Sequence, residues 1–346
     1  MKILVIGGTS FFGKEIVELA LDAGHEVTVF SRGNARPDFW NQIDHINGDR
    51  NDAVDFANKL ANKQFDVVID NIAFNRDHVV NTLAALQGSI SRYILTSTTA
   101  VFIGAGPFDQ PLREDDVKYD LPENPQLATF PKPTGAGMVS YATGKIAAEK
   151  ALMEQQVTYT IIRPHIVVGP EDNHGRLQFF CQRLTDGKPL VLINGGIQSV
   201  QFVFSRDLAR SYLLALDNIN AVNQVYTIAG NKTYRLVEWV ELLASCLGVH
   251  PNVIPIPIDV LQKADFTYAE GWVLRGTLTF DVSKAVADLG FQPTPIEKWT
   301  KMVAQWYQET THANDSPGYA DREKEIEFAE KYLEKTAQLN SKFRRL

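Results

Sequence analysis

GGTSFFG, residues 7–13, directly follows the apolar run KILVIG of residues 2–7. The run predicts a parallel strand that is buried on both of its faces. From residue 10 to residue 23 the apolar side chains recur with helical period, so the glycines join a strand to an amphipathic helix. Glycines at such a junction let a pyrophosphate approach the backbone at the helix N-terminus, where the helix dipole favours negative charge. The segment therefore predicts a dinucleotide site.

This segment departs from the usual glycine spacing at its middle position, which is occupied by Ser10. Gly7 and Gly13 keep the outer spacing that the tight turn and the close helix–strand packing require. Because serine is small and its hydroxyl can donate to a phosphate oxygen, we expect a narrower site that still binds the pyrophosphate. The backbone N–H groups of residues 10–12 would point at the ligand. The predicted cofactor contacts here are Gly7, Thr9, Ser10, Phe11, Phe12 and Gly13.

The end of the second predicted strand, EVTVFS (26–31), indicates which dinucleotide is bound. An NAD site usually places an acidic residue there, about 20 residues beyond the glycines, to bind the ribose 2′-hydroxyl. This chain has Ser31 at that position, followed by Arg32. A guanidinium binds a 2′-phosphate through charge-assisted hydrogen bonds, so we expect NADP, with NAD the less favoured cofactor. Asp49 is expected at the adenine amino group and Arg50 as a wall beside it.

Strand and helix patterns alternate over the first 170 residues. Repeated βα units imply a doubly wound parallel sheet, the Rossmann architecture of the α/β class. The predicted strands cover 2–7, 26–31, 45–48, 65–70, 92–98 and 157–164, and the predicted helices cover 10–23, 52–62, 77–87 and 140–155.

We predict two domains. Residues 1–172 form the NAD(P)-binding domain, to which a strand and helix near 200–228 return. Residues 173–346 form mainly a smaller mixed lobe over the edge of the sheet where doubly wound folds bind ligands. The proline-bearing stretch 104–140 is a long loop, functional or mobile. Further elements are predicted as helices over 175–186, from residue 205 and over 236–248, strands over 200–204 and 253–258, and a charged, solvated or oligomer-facing C-terminal helix.

The segment SYATGKIAAEKAL, which begins at residue 140, places Tyr141 and Lys145 four residues apart. On a helix this spacing puts both side chains on one face. An ammonium beside a phenol favours the phenolate, so the tyrosine can donate and accept a proton near neutral pH. The preceding predicted strand ends in hydroxyls that could hold a substrate oxygen, unless they serve only turn and capping chemistry: Thr96, Ser97, Thr98 and Thr99.

Together these motifs resemble the extended short-chain dehydrogenases/reductases, which include NAD-dependent epimerases and dehydratases. The resemblance spans most of residues 1–300. It implies a Rossmann domain holding NAD(P), a small substrate lobe and a Ser/Thr–Tyr–Lys triad. Thr98 matches the triad hydroxyl, beside Tyr141 and Lys145. The matching motifs, in order, are GGTSFFG, Asp49, the hydroxyls, Tyr141-x-x-x-Lys145, RPHIVVGPED (163–172) and FSRDLA (204–209). The implied cofactor contacts are Ser97, Tyr141, Lys145, Pro164 and Ile166.

The chain also departs from the sugar-nucleotide enzymes of this family. Gln201 and Phe204 replace an arginine and a histidine, and His165 stands where epimerases often carry a phenylalanine–asparagine pair. These differences weaken the assignment of a UDP-sugar substrate. His165 is either a second proton donor or a hydrogen-bonded pocket residue. The GGTxFxG form resembles a side branch that includes chloroplast stem-loop RNA-binding proteins and isoflavone-reductase-like sequences.

Composition narrows the function classes. Of the 346 residues, 45% are hydrophobic and 22% are charged, and the net charge of -7 disfavours nucleic acid as a partner. Two distant cysteines favour a reduced cytoplasmic location. Apolar runs shorter than ~18 residues indicate no membrane span, and the scattered histidines indicate no metal site.

From sequence we therefore expect an NAD(P)-dependent oxidoreductase, epimerase or dehydratase. Its substrate would be a small molecule bearing a hydroxyl or carbonyl group, with a sugar derivative among the candidates. The alternative is a non-catalytic or RNA-associated protein on the same fold. A homodimer remains an open alternative for the assembly.

Overall fold

The computed structural model describes residues 1–87, 90–105, 109–120, 136–264, 278–310, 316 and 318–343. The chain divides into two compact units. The first comprises Met1–Glu171, Gln201–Asn231 and Phe280–Thr294. The second comprises Asp172–Val200, Lys232–Thr279 and Pro295–Leu346.

The elements of the described residues are numbered in chain order. The strands are β1 (Lys2–Ile6), β2 (Glu26–Ser31), β3 (Asp44–Asn47), β4 (Val67–Asp70), β5 (Arg92–Thr96), β6 (Tyr159–Pro164), β7 (Val167–Val168), β8 (Leu190–Ile193), β9 (Ser199–Val200), β10 (Val203–Phe204), β11 (Gln224–Ile228), β12 (Tyr234–Arg235) and β13 (Val253–Ile256). The helices are α1 (Phe11–Asp22), α2 (Ala53–Leu60), α3 (Arg76–Leu86), α4 (Ala136–Met153), α5 (Arg176–Thr185), α6 (Ser205–Ala215), α7 (Leu236–Leu247), α8 (Ile258–Lys263), α9 (Ser283–Leu289), α10 (Ile296–Glu309) and α11 (Arg322–Phe343).

A seven-stranded parallel sheet forms the centre of the first unit, in the order β11-β6-β5-β4-β1-β2-β3. Strand β1 is buried on both faces, as its unbroken apolar sequence predicts. Ile3 and Val5 pack with α1 and α6, whereas Leu4 and Ile6 pack into the core on the opposite face of the sheet. The doubly wound Rossmann fold predicted from the sequence is confirmed.

Two parts of the sheet differ from the prediction. The sequence does not single out the outermost strand β11, because QVYTI mixes polar and apolar residues and lacks the unbroken apolar run of β1. The predicted strand over 200–204 is divided into two. Val200 pairs with Tyr234 in the second unit, and Val203 pairs with Val167 in the first. Gln201 separates them, and its side-chain amide bonds the backbone of Gly230 and Phe280 instead.

The second unit has its own apolar core. Trp239 on α7 packs edge-on against Phe180 of α5, with ring centroids 5.2 Å apart, and donates through its indole N–H to Thr300 at 3.2 Å. Helix α11 is joined to α5 by a buried ion pair between Arg183 and Glu325 at 3.2 Å. Among the described helices of the chain, none is long and apolar enough to cross a bilayer.

Candidate functional site

The glycine segment brings the end of β1 very close to the start of α1. Gly7 has φ of +85°, a conformation that favours glycine. A methyl group added to Gly13 would collide with the carbonyl oxygen of Gly7, so only a hydrogen fits between helix and strand. Asn71, from the loop after β4, donates to the same carbonyl at 3.1 Å. The backbone therefore has the close approach that a pyrophosphate cradle requires.

Ser10 and Phe11 lie at the N-terminus of α1, within the glycine segment. Ser10 is exposed, and its hydroxyl does not cap α1. Phe11 has φ of +48°, a left-handed conformation that is unusual for a bulky residue, although its ring is buried. Such strain is often stored at binding sites. Thr9 is half-buried, and the rings of Phe11 and Phe12 meet edge to face, 5.6 Å apart. These residues fit a pyrophosphate at the N-terminus of α1.

The ends of β2 and β3 carry the four residues expected near the adenosine. Arg32 and Asp49 are exposed. The hydrogen bond from the Asn51 N–H is the main cause that lowers the pKa of Asp49, and the charge of Arg32 adds to this shift. The hydroxyl of Ser31 lies 2.9 Å from Nε2 of His45. Arg50 has a different position from the expected one. Its guanidinium is buried and is paired with the Asp70 carboxylate at 2.6 Å, so its role as an adenine wall stays a prediction.

Helix α4 holds Tyr141 and Lys145 on one face. The Lys145 side chain is 1% exposed, and its Nζ donates to the carbonyl oxygen of Thr96 at 2.7 Å. Nζ lies 5.9 Å from the centre of the Tyr141 ring and 4.7 Å from that of Phe74. Helix α4 approaches Phe74 closely because Gly144 faces its carbonyl oxygen, where a methyl group would collide. The geometry thus brings an ammonium next to a phenol.

Burial lowers the pKa of Lys145 to about 8, since water no longer solvates the ammonium. The carboxylates of Asp70 and Glu149 oppose this shift, and the Arg50 guanidinium adds to it. Each of these two carboxylates belongs to a buried acid–arginine pair. One is Asp70 with Arg50, and the other is Glu149 with Arg163 at 2.7 Å.

The sequence interpretation missed Glu149 and Arg163. Glu149 lies eight residues after Tyr141, so Tyr141, Lys145 and Glu149 share one helix face, and this spacing was the available signal. The Glu149 carboxylate accepts hydrogen bonds from Ser97 and from Tyr119, the latter at 2.7 Å. The bond from Ser97 connects α4 to the end of β5, and the ion pair with Arg163 connects the same carboxylate to β6.

Four hydroxyls follow one another at the end of β5, and three of them have buried partners. Thr96 bonds Asn71 and Tyr212, Ser97 donates to Glu149, and Thr99 bonds the imidazole of His165. Thr98 is half-buried, and its oxygen accepts from the N–H of Ala100 at 3.2 Å. Accepting this bond leaves the O–H of Thr98 able to donate elsewhere. Of the four, Thr98 best fits the role of a substrate contact.

The remaining predicted contacts lie just after β6. Pro164 is the last residue of the strand, and Ile166 is 9% exposed. Between them, the ring of His165 packs on Phe280 with centroids 4.7 Å apart. Much of the predicted loop over 104–140 lies outside the described residues. Within the described ranges, no group of three or more His, Cys, Asp or Glu residues could hold a metal ion.

The sequence matches one family model and several known proteins. The sequence model of the NAD dependent epimerase/dehydratase family matches residues 3–229. The chloroplast stem-loop binding protein of 41 kDa b of Arabidopsis thaliana is 31% identical over 309 residues, covering 84% of this chain and 75% of that protein. A UDP-glucuronate 4-epimerase of Thermodesulfobacterium geofontis is 24% identical over 224 residues, covering 64% and 60%.

Solved structures share the fold. The UDP-glucose 4-epimerase of Thermotoga maritima, solved with UDP-glucose, aligns with a TM-score of 0.68 and 19% identity, covering 89% of this chain and 99% of that one. The dTDP-glucose 4,6-dehydratase of Bacillus anthracis, solved with NAD, aligns with a TM-score of 0.68 and 17% identity, covering 90% and 97%. The chain belongs to the NAD dependent epimerase/dehydratase family, since the family match covers more than half of its length.

Proposed function

We propose that this chain is an NADP-dependent enzyme that acts on a small substrate bearing a hydroxyl or carbonyl group, as an oxidoreductase, epimerase or dehydratase. The observation that carries the proposal is the buried Lys145 ammonium beside Tyr141 on one face of α4. The nicotinamide cofactor supplies the hydride chemistry when it is bound. Every other role is assigned to side chains of this chain.

Tyr141 would move the proton to or from the substrate oxygen. The ammonium of Lys145 would favour the phenolate form of Tyr141 by its charge and would hold the nicotinamide ribose. The hydroxyl of Thr98 would orient the substrate oxygen through the O–H that its capping bond leaves available. Pro164 and Ile166 would flank the nicotinamide. Residues 173–346 would supply most of the substrate lobe.

The preference for NADP rests on the end of β2. Ser31 stands where a carboxylate would bind a ribose 2′-hydroxyl, and the exposed Arg32 follows it. Because a guanidinium suits a phosphate, this pair favours a 2′-phosphate. The cradle at Gly7 and Gly13 would hold the pyrophosphate of either cofactor.

The structure around Gln201 argues for a substrate other than a nucleotide sugar. Gln201 is 3% exposed and uses its amide to bond the carbonyls of Gly230 and Phe280 and the N–H of Phe280. A neutral side chain with three such bonds has little capacity left for a diphosphate. We therefore propose a substrate that carries the reacting oxygen but no nucleotide diphosphate.

RNA binding is a second candidate function, favoured by the name of the 31% identical Arabidopsis relative. The net charge of -7 opposes it, because phosphate binding depends on cations. A gel shift with stem-loop RNA at two salt concentrations tests it. Tight binding at physiological salt would favour this second function over the enzyme.

The Tyr141→Phe variant should lose turnover by about 10²–10⁴-fold, because a positioned proton donor is deleted with little change in packing. Its affinity for NADP should stay near that of the wild type. Turnover is measured with NADPH against a panel of small carbonyl compounds and sugar derivatives. Tyr159→Phe is the matched control and should remain active, because Tyr159 begins β6 and Pro164, at the other end of this strand, is a predicted cofactor contact. Wild-type turnover in Tyr141→Phe would contradict the catalytic assignment.

The Arg32→Ala variant should lose about ten- to a hundred-fold in affinity for NADP and little for NAD, since a charge-assisted hydrogen bond contributes ~1.5–3 kcal/mol. Calorimetric titration with both nucleotides measures this difference. Arg76→Ala, which removes another exposed arginine, should leave both affinities unchanged. An equal loss for the two cofactors in Arg32→Ala would show that Arg32 does not recognise the 2′-phosphate.

The Gly13→Ala variant should fail to bind either nucleotide, because its methyl group would push α1 away from the Gly7 carbonyl. Gly24→Ala is the control. Its methyl group meets no atom within 4 Å, and its φ of +78° should cost only about 1–2 kcal/mol of stability. Thermal unfolding with and without cofactor separates the two effects. Cofactor binding by Gly13→Ala would place the pyrophosphate elsewhere.

A further inference from the structure

The ends of β2 and β3 hold a hydrogen-bonded pair that the proposed function does not yet use. The hydroxyl oxygen of Ser31 lies 2.9 Å from Nε2 of His45 and also accepts from the N–H of Gly33 at 3.2 Å. Gly33 has φ of +72°, and a methyl group there would lie 3.2 Å from the Asn47 amide and 3.3 Å from the His45 ring. The turn that presents Arg32 is therefore folded tightly over the His45 ring.

The other neighbours of His45 are the ring of Trp40 and the charge of Arg36. The ring lies 4.4 Å from Trp40, between centroids, and the Arg36 guanidinium lies 5.6 Å from the Trp40 ring. Arg36 is the charged group that acts most on His45. Arg32, next to Ser31, and Asp49, beyond the end of β3, are the nearest charged residues of the two flanking loops in sequence.

The hydrogen bonds that the Ser31 hydroxyl can make depend on whether Nε2 of His45 carries a proton. A hydroxyl has one hydrogen to donate. In the neutral tautomer whose hydrogen is on Nδ1, Nε2 carries no proton, so the Ser31 O–H is used by His45 and only lone pairs of Ser31 face outward. In the charged ring Nε2 always carries a proton and donates to Ser31, and the Ser31 O–H becomes available to a ligand. Lone pairs repel a phosphate oxygen, whereas an O–H binds it.

We propose that His45 is a positioning residue for a phosphate monoester, the 2′-phosphate of the cofactor. Its Nε2–H donates to Ser31, and the Ser31 O–H then donates to the phosphate beside Arg32. This inference rests on the proposed binding of NADP and adds a second determinant of cofactor choice. Ser31 and Arg32 touch the phosphate, and His45 acts through Ser31.

The direction of the pH dependence follows from the charges. Burial is the main cause that lowers the pKa of His45 below its ordinary value of 6.5; a hydrogen bond to the Ser31 backbone opposes this shift, and the Arg36 charge adds to it. The free ring is therefore mostly neutral at neutral pH. A phosphate dianion favours the protonated ring and therefore raises the pKa of His45 on binding. The preference for NADP over NAD should thus increase as the pH falls from about 8 to about 6, below which protonation of the phosphate itself weakens binding.

The experiment measures the dissociation constants of NADP+ and NAD+ by calorimetry across this pH range, with the full chain. Wild type should gain about three- to tenfold in NADP preference between the upper and lower limit. His45→Phe should lose this gain and leave the affinity for NAD+ unchanged. His45→Gln keeps an N–H donor without titrating, so its NADP preference should be independent of pH. His25→Gln, a histidine at the start of β2, is the control and should behave as wild type.

The outcomes separate this inference from the proposed function. A pH-dependent preference that disappears in both His45 variants supports the inference. If wild type prefers NADP and Arg32→Ala abolishes the preference, but His45→Phe titrates like wild type, the inference is wrong and the proposed function stands. If wild type binds both cofactors equally at every pH, the NADP assignment and the inference fail together. Thermal unfolding of each variant identifies any loss of binding that comes from unfolding.

Discussion

The candidate site depends on one costly interaction, the burial of the Lys145 ammonium. Removing a charge from water is unfavourable unless the surrounding groups compensate for it. Here the Thr96 carbonyl accepts a bond from Nζ, the Phe74 ring lies 4.7 Å away, and the carboxylates of Asp70 and Glu149 contribute favourable charge. Each carboxylate is also paired with an arginine. The two carboxylates therefore stabilise the ammonium without fully compensating its charge.

This arrangement explains why the first unit is organised as it is. Asp70 ends β4, the Thr96 carbonyl ends β5, and Arg163 lies near the end of β6. In a parallel sheet these ends meet at one edge, which is where ligands bind in doubly wound folds. Helix α4 then crosses this edge with Tyr141, Lys145 and Glu149 on one face. The side chains that stabilise the fold at this edge are thus the same ones that determine the charge of the site.

Local patterns were enough to predict the sheet, the glycine cradle and the Tyr141–Lys145 face, because each depends on spacing along one strand or helix. Long-range pairing could not be read in this way. The position of Arg50 depends on Asp70, which lies 20 residues further on, and the contact between Ser31 and His45 depends on the register of two strands. Strand β11 lacks the unbroken apolar run that identifies a buried parallel strand, and the division at Gln201 depends on backbone groups of Gly230 and Phe280.

The most direct test of this account is the titration of Lys145 itself, which needs no knowledge of the substrate. NMR of the chain with isotope-labelled lysine side chains follows each ammonium as the pH is raised. The account predicts one lysine with a pKa of about 8, well below the ordinary value of 10.5, whose signal is missing from the Lys145→Met variant. If the signal lost in Lys145→Met titrates near 10.5, the ammonium is solvated and cannot control Tyr141 in the way proposed.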